Sequence, residues 1–251
     1  MEFNLTRFGN LIRRDFITYK KPALYAVAST FGFLLLVYFF NRVSTEGHYV
    51  SGSFWGEVYL AFVFILGLTF TSIVFREFKT PGGRLQFLSL PASNLEKLAS
   101  RWLYSLIVFP LFISVAVWIM SKLTVTNGES MFANFDTSEG GYIFLGFVLA
   151  HATMFLYAVW FNNLVAIKGT IVGTIASTIF GLLMVGMFWI IFNEYFEGSF
   201  SMGPSINVNM DIAGQQFFMN KVQPVGEFLI KFFIAPFLWV VSYFKMKEKE
   251  A

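Results

Sequence analysis

Ionisable side chains inside long apolar stretches are the groups here with the most capacity for chemistry, because charge at membrane depth is costly and marks function by default. His151 stands near the middle of the apolar run 142–164, and Glu227 and Lys231 stand four apart in the run 225–244. A spacing of four puts Glu227 and Lys231 on one helical face, where they can pair. The pair reads as a structural ion pair or as the charged lining of a substrate route. His151 reads as a hydrogen-bonding link to a neighbouring helix, a pathway residue or a proton relay. Glu57, near the end of the second run, reads as interfacial. No HExxH, GxSxG or nucleophile–base set accompanies these groups, and the only other histidine is His48. With no Cys, thiol catalysis, thiolate metal sites and disulfides are excluded. GxxxxGKS and GxxxxGKT are absent too, so ATP is not held by a phosphate-binding loop of this chain. No catalytic residue, metal site or resident cofactor is expected.

Helices must hold such residues at depth, and the composition supplies them. Of 251 residues, 56% are hydrophobic and 13% charged, about half the charge of a soluble domain. Six runs reach the roughly 20 apolar residues that a bilayer crossing needs: 22–40, 55–75, 102–120, 142–164, 170–192 and 225–244. The expected fold is therefore all-α, a polytopic membrane protein with six transmembrane helices spanning 22–251 and no large soluble domain. Six crossings put both termini on one side. That side carries 14 Lys and Arg, against three (Arg42, Lys122 and Lys221) on the other, so the positive-inside rule makes both termini cytoplasmic. The tryptophans sit at or near run ends, where indole favours the headgroup level. The net charge of +3 is thus a topology and lipid-headgroup signal, and nucleic-acid binding is not needed to explain it.

Residues 1–21 read as an amphipathic helix on the membrane surface, with Leu5, Phe8, Ile12, Phe16 and Tyr19 on one face. Lys20-Lys21-Pro22 is expected to end it. It is either a simple anchor or an elbow coupled to moving parts; Glu2, Asp15 and the absence of a small-x-small site argue against a cleaved signal. On the fifth run, Gly169, Gly173, Ser177 and Gly181 form a small-residue ridge for close packing, within the subunit or between subunits. Pro110 and Pro236 permit kinks.

The segment 76–101 is more than a connector. Thr80-Pro81-Gly82-Gly83 reads as a turn. Leu85, Phe87, Leu88 and Leu90 put apolar side chains outside the bilayer, Pro91 breaks the segment, and Ser93 with Glu96 forms a capping box that starts a helix running into the third span. Such a patch either meets a partner or folds back on the bundle.

The stretch from Phe87 to Lys97, Phe-Leu-Ser-Leu-Pro-Ala-Ser-Asn-Leu-Glu-Lys, is similar to the Leu-Pro-x-Ser segment of ABC-2-type transporter permeases. The amphipathic N-terminal helix, six spans and long loop after the second span resemble that family as well. The resemblance implies an exporter subunit of a bacterial inner membrane, paired with a second permease subunit as homodimer or heterodimer. Its substrate is not specified. A separate ABC ATPase, holding ATP and Mg, would dock on the loop, with Arg84, Leu85, Phe87, Leu88, Leu90 and Glu96 as the contact. The family often folds the outer connection between the last two spans into short membrane-dipping helices; here that connection, 193–224, is polar and rich in Gly, Asn and Ser. The rival readings are a non-transporting scaffold or assembly subunit and an ion-coupled carrier using His151, Glu227 and Lys231.

Overall fold

The computed structural model describes residues 3–44, 51–125, 130, 137–192, 201–202, 206–207 and 216–249. These are almost entirely helical. In chain order they form α1 (Leu5–Ser44), α2 (Gly52–Ile73), α3 (Pro81–Leu88), α4 (Asn94–Trp102), α5 (Phe109–Thr124), α6 (Thr137–Trp160), α7 (Val165–Phe192), α8 (Gln223–Leu229) and α9 (Ala235–Glu248). A two-residue antiparallel pair, Ser201–Met202 with Ile206–Asn207, lies between α7 and α8. The rest of the expected outer connection 193–224, up to residue 215, is outside the described residues.

Five helical stretches among the described residues are long and apolar enough to cross a membrane: Gly52–Ile73, Asn94–Thr124, Gly140–Trp160, Val165–Met187 and Met219–Glu248. This is the architecture of a multi-pass membrane protein. The sixth expected run, 22–40, is helical throughout, and among the described residues the apolar stretch there, Ala28–Val43, is by itself short of crossing length. Nor does the helix stop at Lys20-Lys21-Pro22: α1 is a single helix of 40 residues, about 60 Å if straight. Proline removes one N–H and crowds one carbonyl, a local loss that the helical residues on both sides outweigh.

Three prolines further along the chain are accommodated by a shared device. Pro110 at the start of α5 follows a π-turn at Leu103–Val108, Pro224 follows one at Phe218–Val222, and Pro236 follows one at Ile230–Ile234. In the first, the Phe109 N–H reaches back to the Tyr104 carbonyl, one residue further than in an α-helix. The wider turn moves the carbonyl that a proline ring would strike. The expected helix from Ser93 into the third span thus forms, with a π-turn inserted.

Two apolar clusters hold the bundle. One joins α1, α2, α5 and α6 through Leu34, Trp55, Phe62, Ile113 and Phe147. The other, at the end bearing the N-terminus and segment 76–101, packs Phe75, Phe78 and Phe87 against Phe155 and Met246. Here α6 lies against both α2 and α9. By contrast, α7 docks on α6 only through its first turns, and its apolar side chains from Ile171 to Leu183 are exposed, as expected of a helix solvated by lipid rather than water.

Candidate docking site at the basic end of the bundle

Segment 76–101 is built by local signals that fix it before any partner is considered. Thr80-Pro81-Gly82-Gly83 is not a free turn but the start of α3. The Thr80 hydroxyl accepts the Gly83 N–H at 3.2 Å, and Pro81 sits where a helix needs no N–H. A Cβ on Gly83 would lie 2.7 Å from the Glu77 carbonyl oxygen and 2.8 Å from the Thr80 hydroxyl, so this close approach requires glycine. The Ser93–Glu96 capping box forms as read: the Glu96 N–H donates to Ser93 Oγ at 3.3 Å, and the Ser93 N–H donates to Glu96 Oε2 at 2.8 Å.

Ionic contacts then lock the segment to the bundle. Asn4 caps α1, its Oδ1 accepting the N–H groups of Thr6 and Arg7, while its own N–H donates to Glu96 Oε1 at 2.6 Å. Arg7 reaches the same oxygen at 3.2 Å. One fully buried carboxylate therefore serves two helix N-termini, where negative charge is favoured. Beside it, Arg101, 4% exposed, pairs with Glu77 at 2.7 Å and with buried Asp15 at 3.6 Å. Arg14 also holds Asp15, at 2.7 Å. The Arg101 guanidinium lies 5.2 Å above the Phe87 ring, and the Tyr104 hydroxyl donates to the Ile12 carbonyl at 2.9 Å. On α1 the buried face carries Leu11 and Asp15, whereas Leu5 and Phe16 of the expected apolar stripe stay exposed; the Tyr19 side chain is outside the described set.

Beyond this lock opens a groove of about 1170 Å³. Leu85, Leu90 and Leu95 wall it from segment 76–101, Phe3 from the N-terminal segment and Tyr243 from α9. Arg84, Lys247 and Lys249 put positive charge on its walls, Lys97 is buried, and no carboxylate is among the described lining residues. Lys249 bonds Asn162 Oδ1 at 2.8 Å and stands 4.8 Å above the Phe78 ring. Burial lowers its ammonium pKa, and the nearby charges of Arg84 and Lys245 lower it further, to about 8.

Of the six residues expected at a partner contact, Arg84, Leu85 and Leu90 line the groove. Phe87 and Glu96 are buried instead, because the aromatic cluster and the α1 N-terminus claim them. They hold the segment rather than meet a partner. The Leu88 side chain is outside the described set. Tyr243, Lys247 and Lys249 were missed: the C-terminal lysines carry a topology signal in the sequence, and only their recurrence on a helix continuing past the apolar run hints at a face.

Comparison with protein-family models, curated proteins and solved structures finds no match.

Each intramembrane candidate has a side-chain partner. His151 is fully buried, with Nε2 at 2.8 Å from Ser105 Oγ. The Ser105 hydroxyl also reaches the Arg101 carbonyl at 2.9 Å, and His151 Nδ1 has no hydrogen-bond partner among the described residues. The ring stacks on Phe155 and meets Trp239 edge-on. Glu227 and Lys231 form an ion pair at 2.8 Å, which Gln223 and the Tyr142 ring support. The small-residue ridge divides. A Cβ would lie 2.7 Å from Tyr157 at Gly169 and 3.4 Å from it at Gly173, but Gly181 faces open space and Ser177 is exposed.

Proposed function

We propose that this chain is the membrane-spanning subunit of an ABC-2-type transporter, in which a separate ATPase pushes on segment 76–101 and thereby reorients the helices. The carrying observation is that the segment exposes Leu85 at a basic groove while Arg101 and Glu96 key it to α1 and to the helical run entering the third span. A displacement applied at Leu85 would reach the bundle through buried ion pairs rather than dissipate in a loose loop. The 14-to-3 distribution of Lys and Arg supports a cytoplasmic location for this end, and the family resemblance a bacterial inner membrane. ATP and Mg would belong to the ATPase. The open ridge at Ser177 and Gly181 offers a face for the second permease subunit, as homodimer or heterodimer. Export of an unidentified substrate, with an exit near 193–224, completes the reading. Enclosure of His151 among aromatic rings weighs against the ion-coupled carrier.

Purification in mild detergent tests this. A nucleotide-binding ATPase should accompany the wild type and be lost with Leu85→Asp, which changes an exposed side chain. A stable complex whose partner binds no nucleotide would overturn the exporter reading and favour the scaffold.

A further inference from the structure

The shape and charge of the groove constrain what fills it. The groove, about 1170 Å³, is walled by segment 76–101 on one side and by Tyr243 and Lys247 of α9 on another. Leu85 and Leu95 are 67% and 50% exposed, beside cations from two different elements and no carboxylate among the described lining residues.

We propose that this groove seats a short amphipathic helix of the cytoplasmic partner, its apolar face on Leu85, Leu90 and Leu95 and its carboxylates against Arg84, Lys247 and Lys249. This rests on the reading that segment 76–101 meets such a partner. It adds that partner's chemistry and assigns the second wall of the site to α9. A lipid phosphate would answer the cations but leave the leucines in water, whereas a helix bearing both leucine-type and acidic side chains covers both. Depth points the same way. Ser93 precedes Trp102 by nine residues of continuous helical run, about 13 Å beyond the apolar stretch. Arg84 and Lys245 both lie near enough to Lys249 to repel it, and a carboxylate entering the groove offsets that charge.

The test uses the full chain in phosphatidylcholine nanodiscs, with empty discs as control, and two labelled synthetic helices that share a Leu face and carry either Glu or Lys on the flanks. The Glu helix should bind at least about tenfold more tightly than the Lys helix and weaken as salt rises. Arg84→Glu with Lys247→Glu should cost about tenfold while the unfolding temperature stays at the wild-type value. Equal binding of the two helices, or affinity untouched by the double reversal, would overturn the proposal. So would displacement of the Glu helix by phosphatidylglycerol in the disc, which would make this a headgroup site. The two readings separate in one further measurement. If the double reversal loses the peptide while the ATPase still co-purifies, the groove assignment fails and the segment's role stands. If the wild type binds the Glu helix selectively but no ATPase accompanies it, the groove assignment is supported and the exporter reading fails.

Discussion

Replacing Arg101 by Met should loosen the joint that ties segment 76–101 to the bundle. The guanidinium is 4% exposed and serves Glu77 at 2.7 Å and Asp15 at 3.6 Å. Removing one member of a buried ion pair costs about 3–5 kcal/mol, because the remaining charge stays desolvated. Asp15 keeps Arg14 at 2.7 Å, and Glu77 is about one-fifth exposed, which places Arg101→Met near the lower end, about 3 kcal/mol. That is about 150-fold in the ratio of folded to unfolded protein. Methionine preserves most of the stem packing, so the loss reports charge more than volume. Equilibrium unfolding in mixed micelles, followed by tryptophan fluorescence, measures it, with protease cleavage in 76–101 as a local readout. The triple variant Asp15→Asn, Glu77→Gln, Arg101→Met removes the stranded carboxylates together and should recover at least about 1.5 kcal/mol, because replacing a whole buried cluster costs less than breaking it. If Arg101→Met costs under about 1 kcal/mol, or the triple variant is no better than the single one, the ion pairs do not hold the segment and it cannot transmit a push.

Three further outcomes follow from the same geometry. Lys249 is charged below about pH 8 and neutral above it, so affinity for the Glu-faced helix should fall as pH rises from 7 to 9, and Lys249→Arg should flatten that fall in a fluorescence titration. His151→Ala should lower stability by about 2–4 kcal/mol through the cavity left beside Phe155 and Trp239, yet leave the pH profile of ATPase stimulation unchanged; a shifted profile would restore a proton role. Gly169→Leu should destabilise the fold by driving a side chain into Tyr157, 2.7 Å from where its Cβ would stand, while Gly181→Leu should leave the unfolding temperature alone and reduce the cross-linked dimer fraction if α7 faces a second subunit.

The membrane character of this chain was legible in the sequence because hydrophobicity and charge add up locally along it. Thirty-four Phe in 251 residues, runs of about 20 apolar positions and the lopsided placement of Lys and Arg need no knowledge of neighbours. Short-range hydrogen bonding was legible for the same reason: Ser93 and Glu96 cap a helix three residues apart, and Glu227 meets Lys231 one turn away. The Thr80-Pro81 helix start was present in the sequence too, but two following glycines favoured a turn until capping decided it. Segment 76–101 could equally meet a partner or fold back, and the structure divides it residue by residue. Phe87 and Glu96 turn inward while Arg84, Leu85 and Leu90 face the groove. No local rule gives that division, because Glu96 answers an N–H 92 residues away and Arg101 a carboxylate 24 residues away. Sequence sets which residues are expensive to leave unpaired; only the tertiary structure sets which distant groups arrive to pair them, since burial of a charge depends on everything packed around it. The fourfold spacing of Gly169, Gly173, Ser177 and Gly181 is likewise a property of the chain, but whether each small residue is covered is decided by where Tyr157 of α6 comes to rest.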